Sequence, residues 1–93
     1  MNKTRCIKCS ELLKVIAHPI RLQLLCLMMN EQKNVSSLCK KLKLHQAVIS
    51  HHLSLLRNKN IVKAQRKGTM VHYKLVDPTI SAIMNALYRQ AGL

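Results

Sequence analysis

Apolar positions in the middle of the chain follow a helical period and predict two short helices joined by a tight turn. We expect these helices over residues 35–42 and 46–57. In the second helix Ile49, Leu53 and Leu56 recur at i, i+4 and i+7, so their side chains share one face and should meet a core. The other face is small or polar, contains no acid, and consists of Gln46, Ala47, Ser50, His51 and Ser54.

This polar face has the chemistry expected of a DNA recognition helix. A glutamine can pair with an adenine edge, a serine with several bases, and an alanine methyl can contact a thymine methyl. On these residues alone an ordinary amphipathic surface helix is the simpler interpretation. The neighbouring elements and the charge of the chain reverse that preference.

Downstream of this helix the pattern changes from a helical period to a period of two. Residues 61–65 and 70–75 predict two strands, and residues 66–69 predict a turn between them. Gly68 supplies the conformational freedom of the turn and Lys67 places a cation at its tip. A basic hairpin directly after a recognition helix can lie along DNA as a wing and contact the backbone or the minor groove.

The N-terminal part of the chain predicts a loose segment followed by two helices. We expect residues 1–9 to be flexible or partly helical and the folded DNA-binding domain to cover residues 10–93, with dimerisation through its first and last helices. Ser10 is a possible N-cap for a first helix over 10–17. A second helix over 20–29 is apolar almost all round and should form the buried spine of the domain.

The last predicted helix, capped by Asp77, carries a longer apolar stripe than a thin domain needs for its own core. The stripe suits ordinary core packing, and it also suits pairing with a second subunit. A two-fold dimer would place two recognition helices about 34 Å apart, one turn of B-DNA. The residues predicted for this interface are Ile80, Ile83, Met84 and Leu87.

The charge balance favours a polyanionic partner. Sixteen lysines and arginines stand against three acids, giving a formal net charge of +13, and no acid lies between Glu31 and Asp77. Such a field attracts nucleic acid or an anionic surface. Tyr73 and Tyr88 are the only aromatic side chains besides histidine, so platforms for stacking single-stranded bases are scarce and duplex DNA is favoured.

Other classes of protein fit the sequence less well. Three scattered acids, with no Gly-rich phosphate loop and no nucleophile motif, argue against an enzyme. No apolar run approaches the roughly 20 residues that span a bilayer, and the N-terminus lacks the long apolar run of a secretion signal. We therefore expect a cytoplasmic protein without a membrane partner.

Three segments carry a more specific signal: residues 17–22 (AHPIRL), 44–57 (LHQAVISHHLSLLR) and 67–75 (KGTMVHYKL). Together they resemble the ArsR/SmtB family of bacterial winged-helix repressors. The resemblance implies a mainly α fold with a small β-hairpin, the winged helix-turn-helix of order α-α-α-α-β-β-α. It also implies a homodimer that represses at an operator and leaves when an inducer binds. The operator contacts that it implies are Gln46, Ala47, Ser50, His51, Lys67 and Gly68.

The resemblance also shows which inducer sites of the family the sequence lacks. A zinc site of the family would retain Asp77 here, but Thr79, Gln90 and Leu93 stand at its histidine positions. Of an arsenic-type site only Cys39 is present. Both sites are therefore expected to be absent.

The remaining sensor candidates are cysteines, which should be reduced in the cytoplasm. The chain looks closest to the subgroup that responds to sulfur oxidants; there Cys26 would be the first thiol, but Arg89 replaces the second. Two possibilities stay open. Cys6 and Cys9 could hold a thiolate-bound metal or metalloid, completed by Cys39 or by a partner subunit. Alternatively, Cys26 or an N-terminal cysteine is a redox thiol that needs no cofactor. Cys26 and Cys39 also suit small core residues.

We therefore expect a sequence-specific regulator of transcription that binds duplex DNA as a homodimer. The alternative is an architectural or nucleoid protein that uses the same basic face without sensing an inducer or reading bases. A winged helix used only for protein contacts is a third class. Affinity for an operator against random duplex separates the first two, and salt dependence identifies the third.

Overall fold

The computed structural model describes residues 1–92, which form five helices and a three-stranded antiparallel sheet. This order confirms the predicted mainly helical winged helix-turn-helix, with one additional short strand. In chain order the elements are α1 (Lys3–Ile16), α2 (Pro19–Leu27), β1 (Lys33–Asn34), α3 (Val35–Leu42), α4 (Gln46–Asn58), β2 (Val62–Lys67), β3 (Met70–Leu75) and α5 (Pro78–Gln90).

Helix α1 begins well before its predicted start at Ser10. The side chain of Asn2 accepts a hydrogen bond from the Arg5 backbone N–H at 2.9 Å, so Asn2 is the N-cap and Ser10 lies inside the helix. The first half of α1 is exposed and carries little apolar periodicity, which is why the pattern did not predict it. Residues 1–9 are thus largely helical, and the C-terminal residue of the predicted domain, Leu93, lies outside the described residues.

Helix α2 supplies the spine of the core, as its apolar sequence predicts. Leu24, Leu25 and Met28 are buried, although the helix itself ends at Leu27. Its N-cap is His18, whose side chain accepts a hydrogen bond from the Ile20 backbone N–H, as a serine or asparagine side chain does at most N-caps. The buried apolar residues that pack together across the domain are Ile16, Leu24, Leu25, Met28, Leu38, Ile49, Leu53, Leu56, Ile61, Val62, Tyr73, Leu75, Ile80 and Met84.

Helices α3 and α4 form the predicted helix-turn-helix. Asn34 caps α3 by accepting a hydrogen bond from the Ser37 backbone N–H at 2.7 Å. Lys43 ends the helix in the left-handed region with a φ of 55°, which turns the chain sharply toward α4. His45 stands at the N-cap of α4 but makes no side-chain hydrogen bond there, as expected where histidine replaces a better cap.

The sheet consists of the predicted hairpin and one strand that the pattern did not predict. Strand β2 continues to Lys67, which pairs with Met70, so the turn is shorter than expected and contains only two residues. Gly68 occupies this turn with a φ of 63°, a conformation that favours glycine. Strand β1 has two residues and pairs with β3 at Tyr73 and His72; two residues show no period, so the sequence could not reveal it.

Candidate nucleic-acid interface

Helix α4 turns one face to the core and the other to solvent. Ile49, Leu53 and Leu56 are completely buried, which confirms the predicted core face. The residues predicted to face DNA lie on the remaining surface: Ser50 and Ser54 are half-buried, while Gln46, Ala47 and His51 are exposed. The polar side of α4 is therefore accessible along its length.

The wing and the beginning of α4 border the same open cleft. This cleft has a volume of about 480 Å³ and runs from the N-terminal half of α3 to the turn of the hairpin. Gln46 lines it from α4, Thr69 and Met70 line it from the wing, and Cys39 lines it from α3. The predicted reading helix and the predicted wing thus lie side by side, although they are separated along the chain.

Lys67 and Gly68 lie at the tip of the wing and are both exposed. Within residues 1–92 the only ion pair joins Lys33 to Glu31, and the hydrogen bond and charge of Lys33 lower the pKa of that carboxyl group. The exposed cations on the helix-turn-helix and the wing therefore have no ion-pair partner within that part of the chain. They are Lys40, Lys41, Lys43, Arg57, Lys59, Lys63, Arg66, Lys67 and Lys74.

The apolar stripe of α5 divides between the core and the surface. Ile80 and Met84 are buried in the core of the single chain, and Ile83 is half-buried. Leu87 is 46% exposed, and its neighbour Tyr88, which the pattern did not single out, is 41% exposed. The part of the predicted interface that is free for another molecule is therefore the C-terminal half of the helix.

The four cysteines lie in three different places. Cys6 and Cys9 are exposed on α1, Cys26 lines an apolar groove of about 270 Å³ between α2 and α5, and Cys39 lines the cleft beside the wing. Among residues 1–92 no group of three histidine, cysteine or acidic side chains could hold a metal ion. Cys39 therefore does not complete a site with Cys6 and Cys9 inside one chain.

Asp77, the one residue of the family's zinc site that this sequence retains, has a structural role. Asp77 caps α5 by accepting a hydrogen bond from the Ile80 backbone N–H at 2.9 Å. Thr79 and Gln90 are exposed on the same helix, and Leu93 lies outside the described residues.

An exposed polar helix in a helix-turn-helix, flanked by a basic β-wing, defines a winged-helix DNA-binding protein. Comparisons with known proteins agree. The model for "Bacterial regulatory protein, arsR family" matches residues 18–64. The chain belongs to this family and is a DNA-binding regulator of transcription.

Individual relatives extend the match to most of the chain. The "Transcriptional activator HlyU" of Vibrio cholerae is 33% identical over 78 residues, covering 84% of this chain and 72% of that protein. The "Biofilm growth-associated repressor" of Xylella fastidiosa is 32% identical over 79 residues, covering 85% of this chain and 69% of that protein. The solved structure of HlyU from V. cholerae superposes with a TM-score of 0.92 at 31% identity, with each chain covered completely.

The structure also brings together residues that sequence reasoning left without a role. His18, at the start of α2, lies against His52 of α4, which is buried although its neighbour His51 is exposed. The spacing of the histidines along the chain does not reveal this contact. No helix within the described residues is both long and apolar enough to cross a bilayer.

Proposed function

We propose that this regulator acts as a homodimer on a duplex operator, with α4 in the major groove and the wing on the flanking backbone or minor groove. The observation that carries this proposal is the cleft that Gln46 and the wing turn border together. One surface of the chain then offers base-reading groups beside phosphate-binding cations. In a winged helix of this kind, these two sets of groups divide affinity and specificity between them.

Within this interface, Gln46, Ala47, Ser50, His51 and Ser54 would meet the bases. Gln46 and Ala47 lie in the first turn of α4, where a recognition helix makes its base contacts in the helix-turn-helix geometry. His51 and Ser54 follow on the same surface, one and two turns further along. Gln46 has the most specific chemistry, because its amide can bond an adenine edge with two hydrogen bonds.

The wing would contribute affinity for the duplex and would help to fix the position of the protein along it. Lys67 carries the charge closest to the turn, and Gly68 lets the backbone approach a phosphate because it has no side chain. Contacts of this type do not distinguish bases, but they depend strongly on salt because bound counterions are released. This division predicts different phenotypes for substitutions in α4 and in the wing.

A homodimer would use the exposed apolar surface of α5 together with that of α1. Leu87 and Tyr88 on α5 and Ile7 and Leu13 on α1 are large apolar side chains with 41–50% of their surface exposed. Exposed apolar side chains of this size, if a second subunit covered them, would bury surface that the monomer leaves in water. Two copies joined by a two-fold axis would present two α4 helices to successive turns of the duplex.

We further propose that the protein is an inducer-released repressor rather than an enzyme, and that it works in the cytoplasm, where its DNA target is. A dimer seated on a promoter blocks polymerase without any catalytic group. The candidate inducer-sensing groups are the thiols of Cys6, Cys9, Cys26 and Cys39. Either a thiolate-bound metal or metalloid shared between subunits, or oxidation of a thiol, could supply the release signal.

The direct experiment compares binding to the promoter region of the protein's own gene with binding to random duplex of equal length at fixed salt. A specific regulator should prefer the promoter by roughly 10³-fold or more. A ratio near one would favour the architectural protein, which the net charge of +13 would also serve. Release of the promoter complex by metals, arsenite or persulfide, tested with each Cys→Ser variant, would then identify the sensing thiol.

A further inference from the structure

Three histidines and one arginine cluster where α2 packs against α4. The ring centroids of His18 and His52 are 4.6 Å apart with the planes tilted by 41°, and those of His51 and His52 are 5.2 Å apart. Arg21 of α2 is tied in place because its guanidinium donates a hydrogen bond to the Val15 carbonyl of α1 at 2.8 Å. The cluster thus joins the recognition helix to the first two helices.

His52 is the buried member of the cluster, with 8% of its surface exposed. Its Nδ1 atom is buried, as is Nε of Arg21, and neither atom has a hydrogen-bond partner among residues 1–92. A protonated imidazole here would be a buried cation beside an arginine, and charge in such a place is costly unless it is paired. The observed packing therefore requires His52 to be neutral.

The groups that act on His52 all work in the same direction. Burial lowers its pKa, and a positive charge on a protonated His18 ring, on Arg21 or on a protonated His51 ring lowers the pKa further. Helices α1 and α3 and strand β2 also pack against α4, but within residues 1–92 they add no charged group to this set and no carboxylate opposes it.

His18 must also be neutral, for a separate geometric reason. Its Nδ1 atom accepts a hydrogen bond from the Ile20 backbone N–H at 3.1 Å and so caps α2. A nitrogen that accepts a hydrogen bond cannot carry a proton, so the proton of the ring lies on Nε2. Protonating Nδ1 would remove this cap and place a second positive charge against His52.

We propose that His18 and His52 are positioning residues that hold the recognition helix α4 against α2 only while both rings are neutral, so that acid loosens α4. The consequence for operator binding rests on the proposed role of α4, whereas the effect on folding does not. The physiological ligand of this site is the proton. A regulator built in this way would release its operator in acidified cells without any inducer.

The sign of the effect follows from the two states of His52. The unfolded chain binds a proton near the ordinary histidine pKa of 6.5, and the folded chain binds it only at lower pH. The stabilisation from neutral His52 is therefore complete above pH 6.5. It is lost as the pH falls through 6.5 toward the lower pKa of the folded protein.

Urea unfolding of the full chain between pH 8 and pH 5 tests the proposal. The folding equilibrium constant of the wild-type chain should fall at least about threefold more than that of His52→Leu, which cannot bind the proton. His45→Gln, which removes an exposed histidine, is the matched control and should keep the wild-type dependence. Parallel curves for wild type and His52→Leu would overturn the proposal.

A measurement on the wild-type chain guards against a variant that fails to fold. Nuclear magnetic resonance of the imidazole groups should show that His52 titrates below pH 6.5 and that Nδ1 of His18 is unprotonated at pH 7.5. A midpoint for His52 at or above 6.5, or a proton on that Nδ1, would refute the proposal. If unfolding and titration behave as expected but no duplex is bound at any pH, the role of α4 fails while the histidine pair stands.

With DNA binding established, the final readout is affinity for the promoter duplex at pH 7.5 and pH 5.5 in matched salt. Acid also changes the general electrostatic attraction between protein and duplex in both proteins, so only the difference between them is informative. Wild type should lose at least about threefold in affinity relative to His52→Leu. An unchanged ratio would show that the pair does not position α4 for binding.

Discussion

Gln46 is the residue on which base reading should depend most directly, because its amide is exposed in the first turn of α4 and faces the cleft beside the wing. Gln46→Ala should weaken binding to the operator by about 1–3 kcal/mol and relax base preference at one position. Competition binding against operators substituted one base pair at a time measures both effects. Gln90→Ala, also exposed but near the end of α5, is the matched control and should leave base preference intact.

Lys67 should behave differently from Gln46, because a phosphate contact carries no base information. Lys67→Ala should weaken binding to all duplexes by a similar factor and lower the slope of log affinity against log salt by about 1. Lys14→Ala changes the net charge equally from exposed α1 and separates the local contact from the general field. If Lys67→Ala instead alters base preference, the wing reads sequence and the proposed division is wrong.

These residue roles could be predicted to different degrees. The polar face of α4 could be predicted from the sequence, because the helical period assigns each side chain to a face without knowledge of the rest of the fold. The contact between His18 and His52 could not be predicted from the sequence, because it joins residues far apart in the chain through the packing of two helices. The burial of His52 is likewise a property of α2, which covers it.

At the scale of elements, α4 begins without a side-chain cap. His45→Ser should stabilise the folded chain by about 1 kcal/mol, because a serine hydroxyl can accept a hydrogen bond from one of the first unpaired N–H groups of the helix. Urea unfolding at pH 8 measures the gain. His45→Ala offers no acceptor and should show no such gain; equal stabilisation by both variants would rule out capping as the cause.

The elements themselves were predicted where the local signal was strong. Helices α3 and α4 and the hairpin follow from periodicity and from the turn at Gly68, and all three are present. The early start of α1 had a signal in Asn2, a good N-cap, but the exposed turns that follow have no apolar period. Strand β1 had no signal, because a strand of two residues exists only through its pairing with β3.

At the scale of the whole molecule, assembly should decide affinity. Leu87→Glu should convert the proposed dimer into monomers, because it places a charge in the exposed apolar surface of α5. Sedimentation would report the change in mass, and operator affinity should fall because a monomer engages only one half-site. Val76→Glu, at a residue that is 44% exposed and outside that surface, is the matched control. A Leu87→Glu protein that still sediments as a dimer would exclude this part of α5 from the interface.

The sequence by itself determined the class of the protein, since helical period, turn chemistry and an excess of cations are local or summed properties that need no coordinates. Only the tertiary structure decided which apolar residues of α5 remain exposed, because burial depends on what the rest of the chain covers. It also decided that Gln46 and the wing border one cleft and that His52 is buried under His18. Each of these features depends on which distant segments of the chain contact one another, and such contacts exist only once the chain has folded.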